Sequence, residues 1–179
     1  MGNKKSKKLK WLVGLPVGMI LILVILSSIG GGMTQLNHEI SIQAPTDKVF
    51  AVLSDLEAVQ HYNPGVKKAT YISDNREGAG AARVCDLGKD GQVKERVVDW
   101  RPGESITMEL YESPWPIEFM KWKTVVKSTG DGTLLSQTLD YQMKFGLLGS
   151  LMDRLMMRNK MDKTLSQVFG SLKNYVEAQ

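Results

Sequence analysis

The sequence is short of the residues that most chemistry needs. One cysteine, Cys85, in 179 residues excludes an intrachain disulfide. A lone cysteine in a strand-like run reads as a small buried hydrophobe rather than a nucleophile. Two histidines, His38 and His61, stand far apart without cysteine or acidic residues at ligand spacing, so no metal site is expected. His61-Tyr62 reads as surface or cavity rim. There is no Gly-x-Ser-x-Gly elbow and no phosphate loop. Gly78-Ala79-Gly80 lacks the third glycine of a dinucleotide site and reads as a turn. No cofactor is expected.

An excess of basic charge is also missing from most of the chain. The formal charge is +4, but five of the 23 basic residues (Lys4, Lys5, Lys7, Lys8, Lys10) crowd the first ten positions. The other 18 face 19 acidic residues. A basic domain for nucleic acid is therefore not supported.

What the chain does have is an uncharged run from Trp11 to Ile29, with MILILVIL at Met19–Leu26. Nineteen residues at about 1.5 Å each would make a helix of roughly 29 Å, the thickness of bilayer hydrocarbon. The expectation is a cytoplasmic basic tail (1–10), a transmembrane segment (11–29), a glycine-rich linker (30–34) and one domain (35–179). The lysines precede the span and no basic residue follows it until Lys48, so the domain is expected on the extracytoplasmic side. Ser28-Ile29-Gly30 leaves a cleaved secretory signal as the alternative, although the apolar run is longer than a signal core.

The domain reads as α+β. Leu36, Ile40 and Ile42 mark a first strand. Ala44-Pro45-Thr46-Asp47 breaks it, and Val49, Phe50, Val52, Leu53 and Leu56 recur at helical spacing. A short second helix is predicted over Ala58–Tyr62, ended by Asn63-Pro64-Gly65. Short strands follow at Val66–Ser73, Ala81–Leu87 and Gln92–Trp100, with turn residues between them. Alternation then places Ile106, Met108 and Leu110 on one buried face. It does the same for Met120, Trp122, Thr124 and Val126, and for Leu135, Leu139, Tyr141 and Met143. A single helix of roughly 45 Å is predicted over Leu148–Ala178. Its apolar stripe is Met161, Leu165, Val168, Phe169, Leu172, Tyr175 and Val176. A bent antiparallel sheet wrapped around such a helix encloses a hollow, the usual form of a small-molecule site.

Three stretches carry a resemblance: SIQAPTDKVFAVLSDLEAVQHYNPGVKKA (Ser41–Ala69), GAGAARVCDLGKDGQVKERVVDWRPGESITMEL (Gly78–Leu110) and VVKSTGDGTLLSQTLDY (Val125–Tyr141). Their order resembles the SRPBCC superfamily, the helix-grip fold of START lipid-transfer and birch-pollen-allergen-like domains, and within it the polyketide cyclase/dehydrase group. The resemblance covers about Leu36 to Val176. It implies a curved antiparallel sheet gripping a long C-terminal helix. It implies fold more than activity, because such folds host binders, transporters and enzymes.

The leading expectation is a membrane-tethered module that holds a hydrophobic small molecule or lipid. Its candidate lining residues are Met108, Leu110, Met120, Trp122, Tyr141, Met143, Met152 and Met156, where flexible thioethers suit an adaptable apolar wall. Ordinary core filling accounts for the methionines equally well. Trp115, between Pro114 and Pro116, reads as a lid or as an aromatic interface anchor. The alternatives are a cyclase/dehydrase-like enzyme and an envelope interaction or chaperone-like module with a protein partner. The enzyme would use Glu95 as base beside Arg83. The competing reading of those two residues is a cross-strand surface pair.

Overall fold

A computed structural model describes residues 18–179. The basic tail and the first part of the expected span, 11–17, lie outside the described residues. Helix α1 occupies residues 18–28. Among the described residues no helix is long and apolar enough to cross a membrane.

The domain runs β1 (Thr34–Ile42), α2 (Thr46–Ser54), a 3₁₀ turn at Leu56–Ala58, α3 (Val59–Tyr62), then β2 (Lys68–Tyr71) and β3 (Ala82–Asp86). A second 3₁₀ turn at Gly88–Asp90 leads to β4 (Gln92–Arg101), β5 (Ser105–Glu112), β6 (Ile117–Thr129) and β7 (Gly132–Met143). The chain ends in α4 (Gly146–Met152), a π-helical turn (Asp153–Met157) and α5 (Arg158–Glu177). All seven strands form one antiparallel sheet in the order β1-β7-β6-β5-β4-β3-β2. Five of the six pairings join consecutive strands, as the closely spaced turns predicted. The sixth brings β1 beside β7, which leaves α2 and α3 to cross to the far edge.

Register shifts at Lys94/Glu95, Val97/Asp99 and Ile117/Phe119 interrupt the ladders. Such bulges add twist and bend the sheet. The concave face takes α5, whose Phe169, Leu172 and Val176 are buried against Ile42, Val49, Leu56 and Leu135. The residues expected to face inward on β5, β6 and β7 do so: Ile106, Met108, Met120, Thr124, Val126, Leu135, Leu139, Tyr141 and Met143 are buried, and Leu110 and Trp122 pack on the same core.

The long C-terminal helix predicted over Leu148–Ala178 is present and runs from α4 through the π turn into α5. Its one irregularity is that π-helical turn at Asp153–Met157. Asp153 is the physical reason. It is buried, and its carboxylate accepts hydrogen bonds from Thr34 Oγ1 at 2.7 Å and Tyr141 Oη at 2.5 Å. Drawing that one side chain onto β1 and β7 accompanies the extra residue in the turn, the usual setting of a π bulge.

The corner before α4 is tight. Phe145 and Gly146 both adopt left-handed backbone, with φ of 72° and 54°. A Cβ at position 146 would collide with the Ile29 carbonyl, so the close approach requires glycine.

Candidate functional site

A cavity of about 200 Å³ lies between the concave face of the sheet and α5. Strands β5, β6 and β7 contribute Ile106, Met108, Leu110, Met120, Trp122, Leu135 and Leu139. Helix α5 contributes Met161, Leu165, Val168, Phe169 and Leu172. Period-two alternation on the strands and the helical stripe aim both sets into the same space.

Of the residues singled out from sequence, Met108, Leu110, Met120 and Trp122 line the cavity. Tyr141 and Met143 are buried beside it in a second cluster with Ile117 and Met120, and do not line it. The Tyr141 hydroxyl is instead occupied by Asp153. Met152 and Met156 are 40% and 71% exposed. They do not line the cavity, because the residues of this segment that are buried are Gly149 and Asp153.

One end of the cavity is polar. Arg83 on β3 and Glu95 on β4 are paired in register. The Arg83 guanidinium meets Glu95 Oε2 through Nε at 2.7 Å and Nη2 at 2.6 Å, while Nη1 donates to the Leu56 carbonyl at 2.8 Å. Arg83 is only 6% exposed, so the surface-pair reading is corrected and the pair is internal. Cys85 stands two residues from Arg83 on the same face of β3. The expectation of a buried cysteine therefore held the signal that placed Arg83 inside. Among the described residues Glu95 Oε1 has no hydrogen-bond partner, since Arg83 and Cys85 both meet Oε2.

Burial and pairing fix the protonation of this corner. Burial alone would lower the Arg83 pKa, but the Glu95 carboxylate against it turns the shift upward, so the guanidinium stays charged. Burial, and then the nearby Glu95 carboxylate, push the Cys85 thiol up to about 12. At neutral pH it is a thiol whose Sγ lies 3.8 Å from Glu95 Oε2, not a thiolate nucleophile. Burial likewise raises Tyr62, which closes this end from α3 and keeps its phenolic proton. Burial and the hydrogen bond to Asp153 raise Tyr141.

A second polar point was missed from sequence. Thr124 Oγ1 donates to Gln137 Oε1 at 3.0 Å, which leaves the Gln137 amide nitrogen available. Gln137 falls between Leu135 and Leu139 in the alternation, so its inward position was readable from spacing. Trp115 also lines the cavity and packs against both apolar clusters. Its loop is set by hydrogen bonds from Trp115 N to Ser113 Oγ and from Ile117 N to the Trp115 carbonyl. The indole is thus part of the cavity wall.

The two histidines and two further tyrosines stand apart from the cavity. His38 Nε2 pairs with Asp162 at 2.9 Å, and the His61 ring stacks on Tyr175 at 5.7 Å. The Tyr71 hydroxyl accepts from Leu56 N, and Tyr111 is exposed. Among the described residues no group of three or more His, Cys, Asp or Glu side chains is arranged to hold a metal.

The family model described as "Polyketide cyclase / dehydrase and lipid transport" matches residues 33–177. No curated protein matches the chain. Among solved structures, the fold is similar to the Zhui aromatase/cyclase from Streptomyces sp. R1128, with a TM-score of 0.71 and 16% identity over 82% of this chain and 94% of that one. It is similar to TTHA0849 from Thermus thermophilus, with a TM-score of 0.67 and 21% identity over 81% and 98%. It is also similar to Ara h 8.0201, with a TM-score of 0.65 and 15% identity over 83% and 100%.

Proposed function

Because the chain belongs to the polyketide cyclase/dehydrase and lipid transport family of the SRPBCC superfamily, we propose that it binds a hydrophobic small molecule or lipid between its curved sheet and α5, tethered to a bilayer through residues 11–29. The observation that carries this reading is the cavity itself. Its walls are apolar, and its one charged corner is already neutralised by the Arg83–Glu95 pair.

That corner also bears on ligand charge. The Arg83 guanidinium spends Nε and Nη2 on Glu95 and Nη1 on Leu56. An anionic ligand would have to displace a carboxylate that is already desolvated and well aligned, which is costly. The proposed ligand is therefore neutral, with a carbonyl or hydroxyl that meets the Tyr62 hydroxyl or the Gln137 amide. An apolar cavity of roughly 150 Å³ holds a benzene-sized molecule. About 200 Å³ suits a compact ring system as it stands, and a longer chain requires Trp115 to swing aside.

Native mass spectrometry of the protein extracted in mild detergent tests this reading. A neutral adduct released by mild activation, and lost in a Met108→Trp variant that fills the cavity, is the expected result. The wild-type protein emerging free of ligand, and failing to take up any member of a panel of neutral apolar compounds, would refute it.

The geometry also favours a second reading. Glu95 faces the cavity with Oε1 unpartnered among the described residues. A carboxylate oxygen so placed can take a proton from carbon beside a ligand carbonyl, as a cyclase or dehydrase requires. If Glu95 is such a base, Glu95→Gln abolishes turnover of a bound polyketide-like substrate but still binds it.

The tether places the lysines of 1–10 on the cytoplasmic side and the domain on the other. Protease added to sealed spheroplasts would then digest the domain, and protection of the domain would reverse the orientation.

A further inference from the structure

Helix α4 and the π turn carry an apolar face that the fold leaves uncovered. Phe145, Leu147, Leu151, Met152, Leu155 and Met156 are all exposed. Leu147, Leu151 and Leu155 follow one another at four-residue spacing and form one ridge, with Met152 and Met156 as a second ridge alongside. Gly149 and Asp153 occupy the buried side of the same segment. Scattered surface leucines need no account, but a contiguous set of this size marks a contact surface.

Its position indicates what it contacts. The first turn of α4 is bonded to the end of the apolar run: Leu147 N donates to the Ile29 carbonyl at 3.0 Å, and Gly32 N donates to Ser150 Oγ at 2.9 Å. Gly146 packs directly on the Ile29 carbonyl. The exposed face of α4 thus begins where the 11–29 segment stops. Charge points the same way. From Lys144 to Lys163 there are five basic residues (Lys144, Arg154, Arg158, Lys160, Lys163), all exposed, against Asp153 and Asp162. Asp153 is buried on Thr34 and Tyr141 with Arg158 Nε 3.8 Å away, and Asp162 is paired with His38, so Lys144, Arg154, Lys160 and Lys163 are the four of the five without an acidic partner among the described residues.

We propose that this face is seated in the lipid interface, with its leucines and methionines among the acyl chains and its cations on anionic headgroups. The proposal rests on the tether reading above. It gives the cavity a route to lipid: Met157 follows the exposed face, and Met161 and Leu165, one and two turns further on, line the cavity.

The test uses the full chain in phosphatidylcholine vesicles containing phosphatidylglycerol. A polarity-sensitive fluorophore is attached at Leu155→Cys, at Ile22→Cys within the apolar run, or at Asp131→Cys on the β6–β7 turn. The unsubstituted chain, treated alike, sets the background from Cys85. Brominated acyl chains are expected to quench the probes at 155 and 22 and to spare the probe at 131. Quenching at 22 without quenching at 155 overturns the docking and leaves the tether standing. No quenching at either position overturns both. Protection of 155 that rises with protein density, without quenching by bromolipid, assigns the face to a second copy and overturns the proposal.

Discussion

Replacing Glu95 by Gln keeps the shape of the side chain and removes the charge that balances Arg83. Arg83 is 6% exposed and keeps the Leu56 carbonyl and a neutral amide oxygen as acceptors, but no opposite charge. Stripping one partner from a buried ion pair costs about 3–5 kcal/mol, because the other charge is left uncompensated. With a urea slope of about 1–3 kcal/mol per molar for a small domain, the unfolding midpoint falls by roughly 1–5 M. Replacing both partners by apolar residues of similar volume, Arg83→Met with Glu95→Leu, removes the charges together. Such replacements are typically neutral or stabilising by about 1–4 kcal/mol, so the double variant is expected to unfold at or above the wild-type midpoint. Tryptophan fluorescence follows the transition in detergent, since Trp100, Trp115 and Trp122 all pack on the core. A loss below about 1 kcal/mol for Glu95→Gln, the value of a solvent-exposed pair, would refute the internal placement. A double variant less stable than the single one would refute the argument that the unpaired charge is the cost.

Three further outcomes follow from the same geometry. The Cys85 thiol, held near 12 against an ordinary value of 9.0, resists iodoacetamide at pH 8 in the folded chain and reacts once urea unfolds it. Because its folded pKa is the higher one, its contribution to stability is complete below about pH 9 and is lost as pH rises through about 12. The slope is up to about 1.4 kcal/mol per pH unit. Cys85→Ser flattens that alkaline loss, and an unchanged slope counts against the assignment. Gly146→Ala meets both a positive φ and the Ile29 carbonyl, so it destabilises by more than about 1 kcal/mol and speeds hydrogen exchange at the Leu147 amide. Gly103→Ala has a positive φ but open space around it, and costs less. Trp115→Ala opens the cavity wall, and stopped-flow dilution is expected to show a neutral dye such as Nile red leaving severalfold faster. Equal rates would mean that the dye does not leave past the indole.

The sheet and its inward faces were legible because alternation is a local signal. Met120, Thr124 and Val126 on β6, and Leu135 and Leu139 on β7, stand two or four residues apart within their strand, and the pleat has no other way to place them. Arg83 was ambiguous for the same reason: period two puts it with Cys85, while charge puts it with water. Only its partner across the β3–β4 register settles which applies, and register was not readable with that certainty. The misassignment of Met152 and Met156 has a different origin. Thioether chemistry suggested a cavity wall, whereas the side of that segment that turns inward is set by Asp153 reaching Tyr141 and Thr34, the latter 119 residues away. Trp115 lies in a loop, where no period exists, and only its proline neighbours marked it.

The pairing of β1 with β7 has a bearing on how the molecule is made. Thr34 lies opposite Tyr141 and Ile42 opposite Thr133, so β1 stays without this neighbour until β2 to β6 have been made and β7 has left the ribosome. Contacts between such distant residues slow folding and leave strand edges unpaired meanwhile. A nascent chain in that state depends on its unpaired edge being shielded, and a pause anywhere between β1 and β7 lengthens the vulnerable interval by its full duration.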